Sequence, residues 1–230
     1  MSPDVKARLA ESSRHKSELI IRGDGRNRVV EQIRQWIFEG SLSDGDVISQ
    51  ADVAELLGLS RIPVRDGLIA LASSGWVIIE PGIGARAVGL DAASVRDNFE
   101  LFGSIWSLLV RRAVERGDST VDLELAGTLV KEARSPEEML LANVRFVDSL
   151  RLLASAPRLD AAYRNASRIV PGDFFAIVPN AVETQQTYVP KISSAISKGN
   201  IDRGAKMAVA LHHVHARSVG RLLADRGVLS

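Results

Sequence analysis

The chain contains no cysteine, which excludes disulfides, thiolate metal sites and a cysteine nucleophile. No apolar run approaches the roughly 18 residues that a membrane-spanning helix requires. The N-terminal stretch Met1-Ser-Pro-Asp-Val-Lys-Ala-Arg8 lacks the apolar centre of a secretory signal. A cytoplasmic location with no membrane partner is therefore expected. Charge of one sign is also missing: 29 Lys and Arg against 28 Asp and Glu leave a net charge of +1. Up to Leu90 the two signs are again near balance, so any basic surface must come from placement rather than composition. No Gly-x-Ser-x-Gly elbow, glycine-rich phosphate loop, pair of helix-borne metal motifs or internal repeat is present, which removes the usual sequence support for an enzyme.

What is present suffices for one large domain or two ordinary ones: 230 residues, 46% hydrophobic and 25% charged. Residues 1–24 are polar and poorly periodic, and read as a mobile arm with at most one short helix. From Arg26 to Glu39, Val29, Val30, Ile33, Trp36 and Ile37 recur at helical spacing, and Gly40 supplies the stop. Ser49 and Asp52 have the spacing of a capping box, with Asp in place of Glu, opening a helix that turns Val53, Leu56 and Leu57 inward and stops at Gly58. Ser60 caps a further helix to about Ser74. Its Val64, Leu68 and Leu71 make one apolar stripe, with Arg61 and Arg65 one turn apart and off that stripe. Val77-Ile78-Ile79 and Arg86-Ala87-Val88 flank Pro81-Gly82-Ile83-Gly84 as a two-stranded hairpin.

Residues 25–90 thus form a winged helix-turn-helix, and 91–230 read as an all-helical bundle, making the chain mainly α. In the second part Asp91 opens a long helix ending near Gly117, followed by helices over about 121–133 and from Ser135-Pro136-Glu137-Glu138 to about Ala154. A fourth covers 157–169. A fifth covers 181–198 and should be kinked or interrupted at Pro190. A sixth runs from an Asn200 cap to Arg226, with Gly227 beyond it.

A recognition helix needs one apolar face as an anchor and short or basic residues on the other. Ser60 and the free N–H groups of the helix start suit phosphate. Arg61 and Arg65 can reach guanine O6/N7, and Gly82 with Gly84 lets the wing tip approach the DNA closely. These residues carry a family resemblance. Ile37-Phe-Glu-Gly40, Gly45, Ala54-Glu-Leu-Leu-Gly-Leu-Ser-Arg61, Pro63-Val-Arg65, Leu68, Leu71 and Gly75-Trp-Val77 resemble the winged-helix domain of the GntR family of bacterial transcriptional regulators. The helical second half resembles its FadR-type branch, in the short six-helix variant like VanR.

The resemblance implies DNA contacts at Ser60, Arg61, Arg65 and Gly82. The full candidate set is Ser49, Gln50, Ser60, Arg61, Ile62, Arg65, Gly82 and Arg86. Three positions depart from the family pattern. Gln50-Ala51 replaces a usual Glu-Arg, Ile62 a usual threonine and Gly67 a usual alanine, the last at about 1 kcal/mol of helix propensity.

Many FadR-type domains hold a divalent metal through one aspartate and three histidines. By resemblance the first pair falls on Asn143 and Val147, the next histidine on Val189, and His212 lies near the last position. The metal site is therefore expected to be lost, with no cofactor. Trp106, Asn143, Phe146, Val147, Val189 and His212 are the candidate effector pocket, made more apolar by its two valines. An apolar or acyl-type effector is expected.

The expected function is sequence-specific DNA binding by a dimeric, ligand-responsive repressor on a palindromic double-stranded operator. Two alternatives remain open at this point. One is a constitutive DNA-binding homodimer without an effector. The other is a metal-dependent enzyme built on His212 and His215, which lie one turn apart.

Overall fold

The computed structural model describes residues 1–14, 24–81, 84–167 and 173–229. It divides into two units, Met1–Ala92 together with Leu223–Ser230, and Ala93–Leu222. The first boundary falls close to the expected 90/91 division. The attachment of the C-terminal residues to the first unit was not expected; there Val228 closes over Gly40, the left-handed residue that ends the first long helix.

The first unit opens with α1 (Pro3–Arg14), then α2 (Gly25–Phe38), β1 (Val47–Ile48), α3 (Gln50–Leu57), α4 (Arg61–Ser73), β2 (Val77–Glu80) and β3 (Gly84–Ala87). Helix α1 is the one short helix for which the expected arm left room, and it is seated on the first unit. Val5 and Leu9 are buried, Leu9 completely, while Lys6 pairs with Asp52 and Glu55 and Arg8 with Asp46. Two apolar side chains one helical turn apart suffice to seat a short helix whose remaining residues are polar. The rest of that arm, residues 15–23, lies outside the described residues.

Helix α2 starts where Asp24 accepts the Asn27 N–H at 3.0 Å and buries Val29, Val30, Ile33, Trp36 and Ile37, the five residues whose spacing predicted it. Ser49 accepts the Asp52 N–H at 3.3 Å, one half of the expected capping box. The reciprocal half is not the fate of Asp52, whose carboxylate meets Lys6 Nζ at 3.5 Å. Within α3, Val53 is buried whereas Leu56 and Leu57 are half-buried. The sheet has three antiparallel strands in the order β1-β3-β2, with Val77 opposite Ala87 and Val47 opposite Arg86. The hairpin was anticipated, but β1 was not: two residues hold too little pattern to announce a strand.

The second unit is helical: α5 (Ala92–Arg116), α6 (Val121–Glu132), α7 (Pro136–Ala154), α8 (Pro157–Ala166), α9 (Phe174–Ile177), α10 (Ala181–Ser197) and α11 (Ile201–Asp225). The short α9, pinned by buried Phe174 and Phe175, is an addition to the six helices expected. Ser135 caps α7 through the Glu138 N–H at 3.2 Å, and Asn200 caps α11 through the Arg203 N–H at 3.0 Å. The expected interruption at Pro190 is absent, since α10 runs unbroken through it. Buried Val189 and Ile192 flank the proline, and α10 packs along α6. That packing outweighs the roughly 3 kcal/mol local cost of an internal proline. Among the described residues no helix is long and apolar enough to cross a membrane.

Candidate functional site

The helix-turn-helix is α3, a turn at Gly58 and α4. Gly58 takes φ of +61°, the left-handed conformation that ends α3 and that glycine adopts without a Cβ penalty. The Leu59 N–H then bonds back to the Ala54 carbonyl at 2.9 Å. Arg28 Nη2 donates to the Leu57 carbonyl at 3.1 Å, tying α2 to the end of α3. Val64, Leu68 and Leu71 of α4 are buried as expected. Opposite them Ser60, Arg61, Ile62, Arg65 and Asp66 are all exposed.

Ser60 occupies the N-cap, yet its hydroxyl makes no capping bond, so it is free to donate to a phosphate oxygen at the positive end of the helix. Neither Arg61 nor Arg65 forms an ion pair among the described residues, so both guanidinium groups stand open on the face that a recognition helix turns to base edges. Acidic groups outside α4 are differently placed. Asp46, Asp52 and Glu55 all have basic partners on α1, which softens the negative charge around the reading helix.

The remaining sequence candidates fall into distinct settings. Gln50, the first residue of α3, is half-buried, and Ala51 is exposed. The Ser49 hydroxyl is occupied as a helix cap. Arg86 is engaged within the wing: Nε meets Glu80 Oε2 at 2.9 Å and Nη1 donates to the Gly45 carbonyl at 3.0 Å. It braces the three-stranded sheet instead of standing free. Gly82 lies outside the described residues.

In the helical unit three of the candidate pocket residues, Trp106, Phe146 and His212, meet one another. Trp106 of α5 stacks on Phe146 of α7 at 6.1 Å and meets the His212 ring of α11 edge-on at 5.0 Å. Asn143 Oδ1 accepts from Gln185 Nε2 of α10 at 3.2 Å, and Val147 and Val189 are buried. Gln185 itself was missed from the sequence. It lies four residues before Val189, on the same face of α10, and that register could have found it.

His212 and His215 are both 3% exposed. Burial, the main cause, pushes His212 down to about 4, with the Ala208 carbonyl acting in the opposite sense, and pushes His215 down to about 3. Both are neutral near pH 7. His212 Nδ1 donates to the Ala208 carbonyl at 2.7 Å, which leaves Nε2 as the bare nitrogen. Phe174 lies edge-on to His215 at 5.0 Å.

Among the described residues several polar atoms in this interior have no hydrogen-bond partner: Trp106 Nε1, Gln185 Oε1 and both ring nitrogens of His215. The four positions that resemblance assigns to a metal hold an amide, two aliphatic side chains and one neutral imidazole. Among the described residues no three His, Cys, Asp or Glu side chains gather as a metal site would require. Such a donor set does not fit a divalent cation. Nor do two neutral histidines buried among aromatics make an accessible acid–base centre.

Comparison with known proteins agrees with this geometry. Residues 26–86 match the family of bacterial regulatory proteins called gntR. An HTH-type transcriptional regulator of Mycobacterium tuberculosis is 23% identical over 209 residues, covering 89% of this chain and 84% of that protein. The gluconate operon transcriptional repressor of Bacillus subtilis is 26% identical over 122 residues, 53% of this chain and 46% of the repressor. A GntR-family transcriptional regulator from Pseudomonas syringae pv. tomato has a similar fold, with a TM-score of 0.52 at 18% identity over 97% of this chain and 95% of that one. These relatives are regulators and not enzymes. Residues 26–86 are a winged helix-turn-helix domain of the gntR family, and the chain that carries it is similar over most of its length to bacterial transcriptional regulators.

Proposed function

We propose that the protein is a cytoplasmic, ligand-responsive repressor that binds a palindromic operator as a homodimer and carries no resident metal. The observation that carries the reading is α4, whose first two turns present Ser60, Arg61 and Arg65 with no competing partner among the described residues. Pairing supports the dimer on electrostatic grounds. One copy has a net charge of only +1, and two copies double the small basic face on a two-fold symmetric site. Repression is favoured by the likeness of about half of the chain to the gluconate operon repressor.

Sensing rests on the helical interior. Each buried polar atom without a partner costs on the order of 1–3 kcal/mol, and a ligand supplying the missing donors and acceptors would relieve it. Valines at 147 and 189, with neutral imidazoles nearby, favour an apolar or acyl-type effector over a small dicarboxylate held by a metal. Such a ligand acts by stabilising one helix arrangement over another, which changes the spacing of the two reading heads.

The test is a duplex-binding titration across salt, combined with sedimentation and a thermal-shift screen of metals, carboxylates and acyl-CoA species in the presence and absence of EDTA. Affinity should fall steeply with salt, the chain should sediment as a dimer, and an apolar or acyl compound should raise the melting temperature without added metal. Citrate binding only in the presence of zinc would overturn the metal-free reading. No stabilisation by any compound favours a constitutive DNA-binding dimer.

A further inference from the structure

We propose that Ile62 is a specificity-determining residue that reads the C5-methyl group of a thymine in the major groove. The inference rests on the reading of α4 as the recognition helix and adds the chemistry of one contact.

The placement of Ile62 is unusual for its side chain. At about 100° per residue, Val64, Gly67, Leu68 and Leu71 gather on one arc of α4, and all four are buried. Ile62 falls nearly opposite the centre of that arc, and it is 73% exposed. Arg61 and Arg65 lie to one side of it and Asp66 to the other, all exposed. A branched aliphatic group therefore occupies the middle of an otherwise charged face, in the first turn of the helix, where recognition helices meet base edges.

Isoleucine has no hydrogen-bonding group, so it cannot read the O6, N7 or amino edges of the bases. The thymine C5-methyl is the apolar group that an unmodified major groove offers. Burying one methyl against Ile62 favours thymine by roughly fourfold, given about 0.8 kcal/mol for each buried carbon. The flanking arginines fix the register in which that contact forms. Ile69 is the other exposed apolar residue of α4, at 50%. It stands two turns further along, away from the N-terminal end that enters the groove.

The experiment uses the full chain. Binding sequences are first enriched from a randomised duplex pool, and each thymine of the enriched site is then replaced singly by deoxyuridine, which removes only the methyl group. One position in each half-site should lose affinity roughly three- to tenfold. Ile62→Ala, which keeps Arg61 and Arg65, should bind thymine and uracil equally at that position. Replacing the thymine·adenine pair there by 5-methylcytosine·guanine should cost less than replacing it by cytosine·guanine. The inference is overturned if no uracil substitution weakens the wild-type protein, or if the same methyl dependence persists in Ile62→Ala. Those outcomes leave the regulator reading intact. Failure of any sequence to enrich would remove both.

Discussion

Gly67 of α4 lies directly beneath Val29 of α2. A Cβ at position 67 would stand 2.6 Å from Val29 Cγ1, 2.8 Å from Val29 Cβ and 3.3 Å from the Arg26 carbonyl oxygen. The glycine that costs helix propensity is thus the residue that allows α2 and α4 to pack at close range. Val29 is β-branched and held to one rotamer in a helix, so it cannot swing aside. Gly67→Ala should destabilise the first unit by about 1–3 kcal/mol through overpacking, despite gaining about 1 kcal/mol in propensity. Val29→Ala added to Gly67→Ala should recover part of the loss. Urea denaturation followed by the fluorescence of buried Trp36 measures both. A more stable Gly67→Ala would show that the contact is not tight.

The docking of α1 hangs on Leu9, which is fully buried. Leu9→Ala at such a site ordinarily costs about 2–5 kcal/mol. Here the loss is capped by the free energy of seating the helix, because α1 can leave locally while the rest stays folded. Limited proteolysis should cut the first fourteen residues faster, with a smaller shift in the Trp36 midpoint. Lys6→Ala, on a solvent-screened ion pair, should leave stability almost unchanged.

Two histidines set an acid limit on the helical unit. His212 and His215 fall to about 4 and about 3 on folding because burial disfavours their charged forms, whereas the unfolded chain titrates near 6.5. The unfolded state therefore binds protons first. The stabilisation is complete above about pH 6.5 and is lost as pH falls toward the folded values, by up to about 1.4 kcal/mol per pH unit for each histidine. Thermal denaturation at pH 7, 6 and 5 should show that slope, and His215→Leu should flatten it. Equal slopes in the two proteins would mean that His215 is not buried neutral.

The reading helix separates DNA affinity from stability. Arg65→Ala should weaken operator binding roughly 5- to 150-fold, the range expected for a lost bidentate guanine contact, while leaving the melting temperature within about a degree. Arg61→Ala should behave similarly, and a phosphate contact at either site would lower the salt slope by about one. Arg86→Ala should differ, because its guanidinium is engaged by Glu80 and the Gly45 carbonyl. Its loss should soften the wing and reduce affinity less than Arg65→Ala does. A larger loss from Arg86→Ala would mean that this arginine leaves its partners to contact DNA.

What the sequence determined by itself is the set of features written in neighbouring residues. Ser49, Ser135 and Asn200 begin helices where expected, because an N-cap acts within one turn. Gly40, Gly58 and Gly227 end them, because a left-handed residue is a local requirement. The stripe Val64-Leu68-Leu71 gave α4 its core face, and so placed Arg61 and Arg65 outward before any fold was known. Tertiary structure alone decided the matters that depend on a partner distant in the chain. The two residues of β1 become a strand only against β3, and α1 becomes ordered only over α3. Gly67 acquires its reason from Val29, and Arg86 its role from Glu80 and Gly45. His212 and His215 look like available ligands in the sequence, yet their neutral, enclosed state comes from Phe102, Trp106 and Phe174. Caps, stops and periodicity act over a few residues, whereas burial, clash and pairing exist only once remote segments meet.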